Sequence, residues 1–486
     1  MIKTMLVYPS PTRHAIPPLG IAYLASIIRS KRYEVSILDS NVVKDEEDFS
    51  RRVKDYNPNL IGFSVQTMFI DHAFKYAKIA KESVPNAVVI FGGPHASVMP
   101  KEVLNEPYVD MCMIGESDIS FLQLIEALDN GRGLEEVGNL YYKDKKGQIK
   151  FTKRLPFIEN LDSIPPPARD LLPMQHYLKN IQPPPLMMPY THVIVNRGCP
   201  FNCKFCQPTS DVMWGKRIRY RSPKLICDEI EYLLKNYKLN MIDITADTFT
   251  ANKEWVKELC GEIIRRKIKI PWIATARVGT VNYETLSEMK KAGCISIFVG
   301  VESGSQKILD ELGKGIKVEQ IIQYFKWCNQ LGIITNTSFM VGSPGETKET
   351  IKETIDLIKK IRPDYLTAYI TTPMPGTDLY SYAFEHGMLE YQSMTEMDKH
   401  HSTLKIEGLT KEEIIYYRDK IYMEYAKLRL KYLFDPRKAY LHKSMFKRIL
   451  TLRHANLKSA KKSYQLLHTP HKNPAKKIIE MVIKAV

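Results

Sequence analysis

Short apolar runs alternate with amphipathic stretches through the first 150 residues of the chain. Ile2–Tyr8, Val35–Leu38, Leu60–Val65, Ala87–Phe91 and Met111–Ile114 are nearly continuous in apolar residues, the pattern of parallel strands covered on both faces. Between them, segments such as Leu19–Arg29 and Phe69–Ser83 have helical spacing. Five such units predict an α/β fold: a flavodoxin-like, doubly wound parallel sheet whose ligands sit beyond the carboxyl ends of the strands. Those ends carry Pro9-Ser10-Pro11, Ser64-Val65-Gln66-Thr67, Gly92-Gly93-Pro94-His95 and Gly115-Glu116-Ser117-Asp118. Small residues there let a large ligand approach the backbone.

Proline then interrupts the pattern, at Ile164-Pro165-Pro166-Pro167 and at Pro183-Pro184-Pro185, and predicts a stiff interdomain connector. From about Tyr190 the βα alternation resumes. The predicted strands are His192–Asn196, Met241–Ala246, Trp272–Ala276, Ser296–Val299, Thr335–Val341 and Tyr365–Thr371. Helices are expected at Pro223–Asn236, Lys253–Arg266, Tyr283–Ala292, Val318–Gln330 and Lys348–Lys360. Six such repeats curl into a partial (β/α)6 barrel of TIM type, with its chemistry at the strand carboxyl ends. Beyond residue 400 the spacing is helical, with Phe446, Leu450, Leu457, Ala460, Tyr464 and Leu467 on one face. The expected division is therefore residues 1–150, a connector over 151–189, a barrel over 190–400 and a helical region over 401–486.

Composition is that of an ordinary globular protein, with 44% hydrophobic and 26% charged residues. No apolar stretch approaches the length of a membrane span. The N-terminus reads as a strand rather than a signal peptide, so a cytoplasmic location is expected. The net charge of +16 is unevenly spread: residues 426–486 hold sixteen Lys and Arg against two acidic residues. The basic character thus belongs to the C-terminal tail, not to the body.

Eight cysteines are present, and three are clustered in Arg197-Gly198-Cys199-Pro200-Phe201-Asn202-Cys203-Lys204-Phe205-Cys206. The other five, Cys112, Cys227, Cys260, Cys294 and Cys328, stand in apolar contexts and are expected to be buried small hydrophobes. The C-x3-C-x2-C spacing puts Cys199, Cys203 and Cys206 on one tight loop after the first barrel strand. An iron–sulfur cubane normally takes four cysteines, so three leave one iron open to a small molecule. The alternative is structural zinc, which usually pairs C-x2-C units with a fourth ligand near by. No second C-x2-C exists in this chain, which weighs against zinc.

The cysteine loop, including Phe205, resembles the signature of the radical S-adenosylmethionine superfamily. Asp243-Ile244-Thr245-Ala246-Asp247-Thr248-Phe249 is similar to the family's second-strand segment, and Gly300-Val301-Glu302-Ser303-Gly304-Ser305 to its fourth. Gly342-Ser343-Pro344-Gly345-Glu346-Thr347 and Pro373-Met374-Pro375-Gly376-Thr377 resemble the turns after the fifth and sixth. The resemblance implies that the three cysteines ligate a catalytic [4Fe-4S] cluster and that Phe205 packs near the adenine. It also implies that Asp247, Glu302, Ser303 and Gly342 contact S-adenosylmethionine. The Glu302 carboxylate suits a ribose hydroxyl or an ammonium group, and Ser303 is a neighbouring hydroxyl. Arg277, at the end of the third strand, suits either the cofactor carboxylate or a surface ion pair.

A doubly wound sheet joined to such a barrel resembles the cobalamin-dependent branch of the superfamily. That implies corrinoid contacts at Ser64, Gln66, Thr67, Gly92, Gly93, His95, Gly115 and Glu116, with the Gln66-Thr67-Met68 loop below the corrin. There is no Asp-x-His-x-x-Gly motif, so direct ligation of cobalt is in doubt. His95 and His14 are the tempting ligands, but a lone turn histidine is more often a packing or hydrogen-bonding residue.

The expected activity is reductive cleavage of S-adenosylmethionine and cobalamin-dependent methylation of an unactivated carbon. The alternative is cyclisation, ring rearrangement or oxidation without methyl transfer. A small-molecule substrate and an electron donor such as flavodoxin or ferredoxin are implied. The basic tail suits either a packed helical subdomain or peripheral contact with an anionic membrane. Membrane contact would favour a lipid, isoprenoid or tetrapyrrole substrate. Few aromatic residues in the tail and no recognisable RNA-binding module make nucleic acid a poor match.

Overall fold

A computed structural model describes residues 1–11, 16–179, 189–206, 212–398 and 400–432. His14, the second proline cluster and the basic tail beyond residue 432, with its apolar positions from Phe446 to Leu467, lie outside the described residues.

The first sheet has seven strands: β1 (Lys3–Tyr8), β2 (Glu34–Asp39), β3 (Leu60–Ser64), β4 (Val88–Gly92), β5 (Met111–Met113), β6 (Leu140–Lys143) and β7 (Ile149–Phe151). Their order is β2-β1-β3-β4-β5-β6-β7. The first five pair in parallel, so the doubly wound expectation holds. The chain order reverses between β1 and β3, which is where ligands bind in such sheets. The hairpin β6–β7 adds two antiparallel strands that periodicity did not predict. Both are short, and each carries a lysine and exposed or half-buried positions, so they lack the apolar run of a covered strand. One apolar layer includes Phe49, Val53, Ala73 and Ala77 from the helices on one face. The opposite face buries Ile21, Ala25, Phe121 and Leu124.

The second sheet contains β8 (Tyr190–Ile194), β11 (Met241–Thr245), β12 (Trp272–Ala276), β13 (Cys294–Glu302), β14 (Ile334–Val341) and β15 (Tyr365–Ile370). They run in the order β15-β14-β13-β12-β11-β8, all parallel. A separate antiparallel pair, β9 (Asn196–Arg197) and β10 (Arg219–Tyr220), closes the base of the cysteine loop. Alternation sorts the faces of the barrel strands. Ile242, Ile244, Ile297, Val299, Phe339 and Val341 pack into the helical shell, leaving Asp243, Phe298 and Ser338 on the barrel's inner face. Most barrel helices start at a side-chain cap. Ser222, Asn252, Asn282 and Thr347 each accept a backbone N–H three residues on, which fixes where the helix begins.

Two expectations are corrected. The proline-rich segment is not only a stiff connector: Leu161, Ile164, Leu172 and Met174 form a small core with Leu19, Ala22 and Tyr23. Its apolar residues find a partner in the helix Leu19–Ser30, and the prolines only stiffen the path. Nor does the barrel end at residue 400. Leu404, Ile406, Leu409, Ile414 and Ile421 belong to the barrel's own core, and the helix Lys411–Tyr432 packs on β15, where the Tyr422 hydroxyl accepts from the Ala368 N–H at 2.9 Å. Among the described residues, no helix is long and apolar enough to cross a membrane.

Candidate active site

The cysteine loop is anchored at both ends by backbone geometry. Gly198 has φ +94°, and a Cβ there would lie 2.5 Å from the Arg217 carbonyl oxygen, so only glycine fits. The Gly198 N–H donates to Asp247 Oδ2 at 3.0 Å, and the Asp247 N–H donates to Asn196 Oδ1 at 3.1 Å. Further along, the Lys204 N–H bonds the Leu312 carbonyl at 3.0 Å and the Lys204 carbonyl accepts from Leu379 at 2.9 Å. Cys199 and Cys203 are half-buried and Cys206 is exposed, whereas the other five thiols are buried, as expected.

Asp247 therefore supports the loop, with one carboxylate oxygen already engaged. Protein surrounds it on most sides although solvent reaches it, and this burial raises its pKa, partly offset by the Gly198 N–H. Arg277 is buried and donates to Cys203 Sγ at 3.2 Å, with its guanidinium 4.0 Å from the centre of the Phe201 ring. It is thus neither a surface ion pair nor remote from the thiols. Phe205 is half-buried against the barrel core.

Glu302 lies at a bulge of β13, with φ +68°. Its Oε1 accepts from Lys314 Nζ at 2.8 Å and its Oε2 from Ser338 Oγ at 3.1 Å, all three side chains being buried. Lys314 Nζ also lies 5.5 Å from the centre of the Phe205 ring. Periodicity gave no hint of Lys314; its one local signal is the pair of flanking glycines, Gly313 and Gly315, both at positive φ. Two expected contacts face elsewhere. The Ser303 hydroxyl is fully buried, 3.2 Å from Thr354 Oγ1, and accepts from the Ser305 N–H, so it staples its own turn. The Gly342 N–H is taken by Glu346 Oε2, whose carboxyl is pushed up to about 7 by burial against the pull of the Gly342 and Ser343 N–H groups.

In the first sheet, a cavity of about 190 Å³ opens beside the carboxyl ends of β1, β3, β4 and β5. Ser64, Gly92, Gly93 and Gly115 line it, with Leu6, Ile90 and Phe121 supplying apolar wall. Gly93 has φ +88°, and a Cβ on it would meet the Val65 nitrogen at 2.9 Å. The remaining expected residues do not line the cavity. Gln66 donates to the Tyr8 hydroxyl at 3.1 Å. Thr67 bonds His95 Nδ1 at 3.2 Å, and His95 is fully buried, with burial lowering its pKa to about 4. A neutral packing histidine is therefore the better description.

Glu116 is likewise diverted, into a buried ion network that joins the turn after β5 to the β9–β10 pair. Its Oε1 is 2.6 Å from Arg197 Nη1, and its Oε2 accepts from Arg219 at 2.9 Å and from the Ile158 N–H at 2.7 Å. Arg197 also forks onto Asp118 at 2.7 and 3.0 Å. Burial would lower the Arg197 pKa, but Asp118 and Glu116 outweigh it and the net shift is upward. Neither Arg197 nor Asp118 was singled out from sequence, because partners 79 positions apart leave no local pattern. Arg197, Asp118 and Trp214 are part of the cavity wall.

Among the described residues, no three His, Cys, Asp or Glu side chains converge on a single-ion site.

Residues 193–358 match the model of the radical SAM superfamily, and residues 11–125 match that of the B12-binding domain. An uncharacterised methyltransferase of Pyrococcus horikoshii, PH0819, is 34% identical across 90% of this chain and 95% of its own. The chain belongs to the cobalamin-dependent radical S-adenosylmethionine enzymes. Within that family, an anaerobic magnesium-protoporphyrin IX monomethyl ester cyclase of Rubrivivax gelatinosus is 30% identical across 75% of this chain and 66% of its own. The fold is also that of the methyltransferase TsrM from Kitasatospora setae, solved with cobalamin and a [4Fe-4S] cluster. The two superpose with TM-score 0.67 at 18% identity, over 80% and 79% of the chains. The family's cofactors are a [4Fe-4S] cluster, S-adenosylmethionine and cobalamin, and its members are enzymes.

Proposed function

We propose that this enzyme methylates an unactivated carbon of a small, largely apolar substrate. What supports the reading most is the pairing of a three-thiol loop with a glycine-lined cavity across one buried ion network. When bound, the cluster and S-adenosylmethionine supply a 5′-deoxyadenosyl radical, and cobalamin supplies a transferable methyl group. Cys199, Cys203 and Cys206 would hold the cluster, with Arg277 donating to Cys203 and so offsetting thiolate charge. Glu302 and Lys314 would together offer one acceptor and one cation to the amino-acid part of S-adenosylmethionine, and Ser338 would hold Glu302 in place. Ser64, Gly92, Gly93 and Gly115 would admit the corrinoid to the sheet, because their missing or small side chains leave its volume free. Asp247, Ser303, Gly342 and Glu116 would support the structure around these groups, through the Gly198 N–H, Thr354, Glu346 and the Arg197–Arg219 pair respectively. The barrel's inner face, to which Phe298, Ser338 and Asp243 contribute from three strands, would exclude water around the reacting carbon.

The PH0819 relative carries a methyltransferase name, which favours this chemistry; the Rubrivivax relative is a cyclase, and ring formation without methyl transfer is the second reading. Anaerobic incubation with deuterated-methyl S-adenosylmethionine and a cell extract separates them. Label in a product supports methylation. Deoxyadenosine with unlabelled product supports cyclisation or oxidation, and deoxyadenosine absent altogether contradicts both. A flavodoxin- or ferredoxin-type donor is proposed as the electron source. Membrane contact through the basic tail is proposed from its charge alone, and equal liposome flotation with and without residues 426–486 would contradict it.

A further inference from the structure

Two buried ion networks of the molecule differ in what they touch. Arg169, from the proline-rich segment, and Arg221 share Glu229 at 2.6 and 2.7 Å, and none of the three lines the cavity. Arg197 does. Its backbone lies in the β9–β10 pair at the base of the cysteine loop, two residues before Cys199. Its guanidinium crosses to the first sheet, makes three bonds to Glu116 and Asp118 and lies 4.6 Å from the Trp214 ring centre. Arg197, Asp118, Ser117 and Gly115 all line the cavity, so the turn that grips Arg197 is itself part of the cavity wall. A planar guanidinium held bidentately by a carboxylate has one good orientation. A ligand that fixes the Gly115–Asp118 turn therefore fixes Arg197, and with it the base of the thiol loop.

We propose that Arg197 is a positioning residue that couples the two cofactor sites, so that cobalamin in the cavity slows loss of the cluster from its loop. The coupling rests on the function proposed above. To the extent that slower loss reflects tighter binding, linkage makes the coupling reciprocal: the cluster then favours cobalamin as much as cobalamin favours the cluster.

The test uses the full chain with its cluster reconstituted, following iron release to a ferrous chelator under anaerobic conditions, with and without hydroxocobalamin. In the wild type, cobalamin should slow release about fivefold or more, the lower end of ordinary coupling. Arg197→Lys keeps the charge but loses the planar fork, and should abolish most of this protection. Should it fold poorly, the double variant R197M/D118L, which replaces the pair with apolar groups of similar size, should fold and also lose protection. Glu229→Gln disrupts the other network and should lower thermal stability while retaining full protection. Undiminished protection in both Arg197 variants overturns the coupling, as does an equal loss in Glu229→Gln. Wild-type protein that binds cobalamin without protection overturns the coupling alone. Wild-type protein that binds no cobalamin overturns the proposed function, and the coupling with it.

Discussion

At the carboxyl ends of their strands the two sheets offer opposite chemistry. The first ends in Ser64, Gly92, Gly93 and Gly115 around an apolar cavity. The second ends in thiols, Arg277 and the Glu302–Lys314 pair. One site is made by leaving side chains out, the other by placing reactive and ionic ones. The first kind should fail when a side chain is added, and the second when one is removed.

The most severe removal is Cys203→Ala. It should abolish cluster assembly and deoxyadenosine formation while cobalamin still binds, its affinity lowered only by the lost coupling to the cluster, as measured by iron content, product chromatography and corrinoid content. Loss of cobalamin together with iron would break the distinction between the sites.

Lys314→Met comes next. Glu302 would be left buried beside Ser338 alone, and losing one partner of a buried pair costs about 3–5 kcal/mol. Denaturant unfolding should show that loss, and calorimetry should show weaker binding of S-adenosylmethionine. Unchanged stability and affinity would remove Lys314 from the site.

Addition is tested at Gly20, which lines the cavity and has nothing within 4 Å of where a Cβ would stand. Gly20→Phe should weaken cobalamin binding about tenfold or more, equivalent to about 1.4 kcal/mol, with iron content unaltered. Full affinity would place the corrinoid elsewhere.

The smallest effect concerns pH. Burial pushes the Asp243 carboxyl up to about 7, with Thr245 pulling the other way. The native state then holds a proton that the unfolded chain has lost by about pH 4. This costs stability as pH rises from about 4 through 7. His95 and His192, lowered to about 4 and about 3 by burial, have the opposite effect, adding stability as pH rises toward about 6.5. The carboxyl is therefore best read by difference. Asp243→Asn should gain melting temperature relative to wild type at pH 8 but not at pH 5, and the reverse order would contradict the assignment.

This contrast sets what could be read from sequence. The covered parallel strands announce themselves as apolar runs, and the thiol loop as a spacing, because both are local. β6 and β7 are too short and polar to register, and the proline-rich segment shows its apolar anchors only once the helix Leu19–Ser30 is beside it. The cavity glycines were legible as strand ends. Ser303, Glu116 and Gly342 were not, because motif position does not reveal which way a hydroxyl, a carboxylate or an N–H is turned. Arg197 meets Glu116 across 81 positions, a relation that only the folded chain contains.

The central claim is that one chain joins radical generation to methyl transfer through cobalamin. Reconstituted enzyme given both cofactors, reductant and S-adenosylmethionine should form S-adenosylhomocysteine by methylating reduced cobalamin, and 5′-deoxyadenosine by radical cleavage. Gly20→Phe should suppress the first and Cys203→Ala the second. Deoxyadenosine alone from the cobalamin-loaded wild type, with no S-adenosylhomocysteine, would contradict the account.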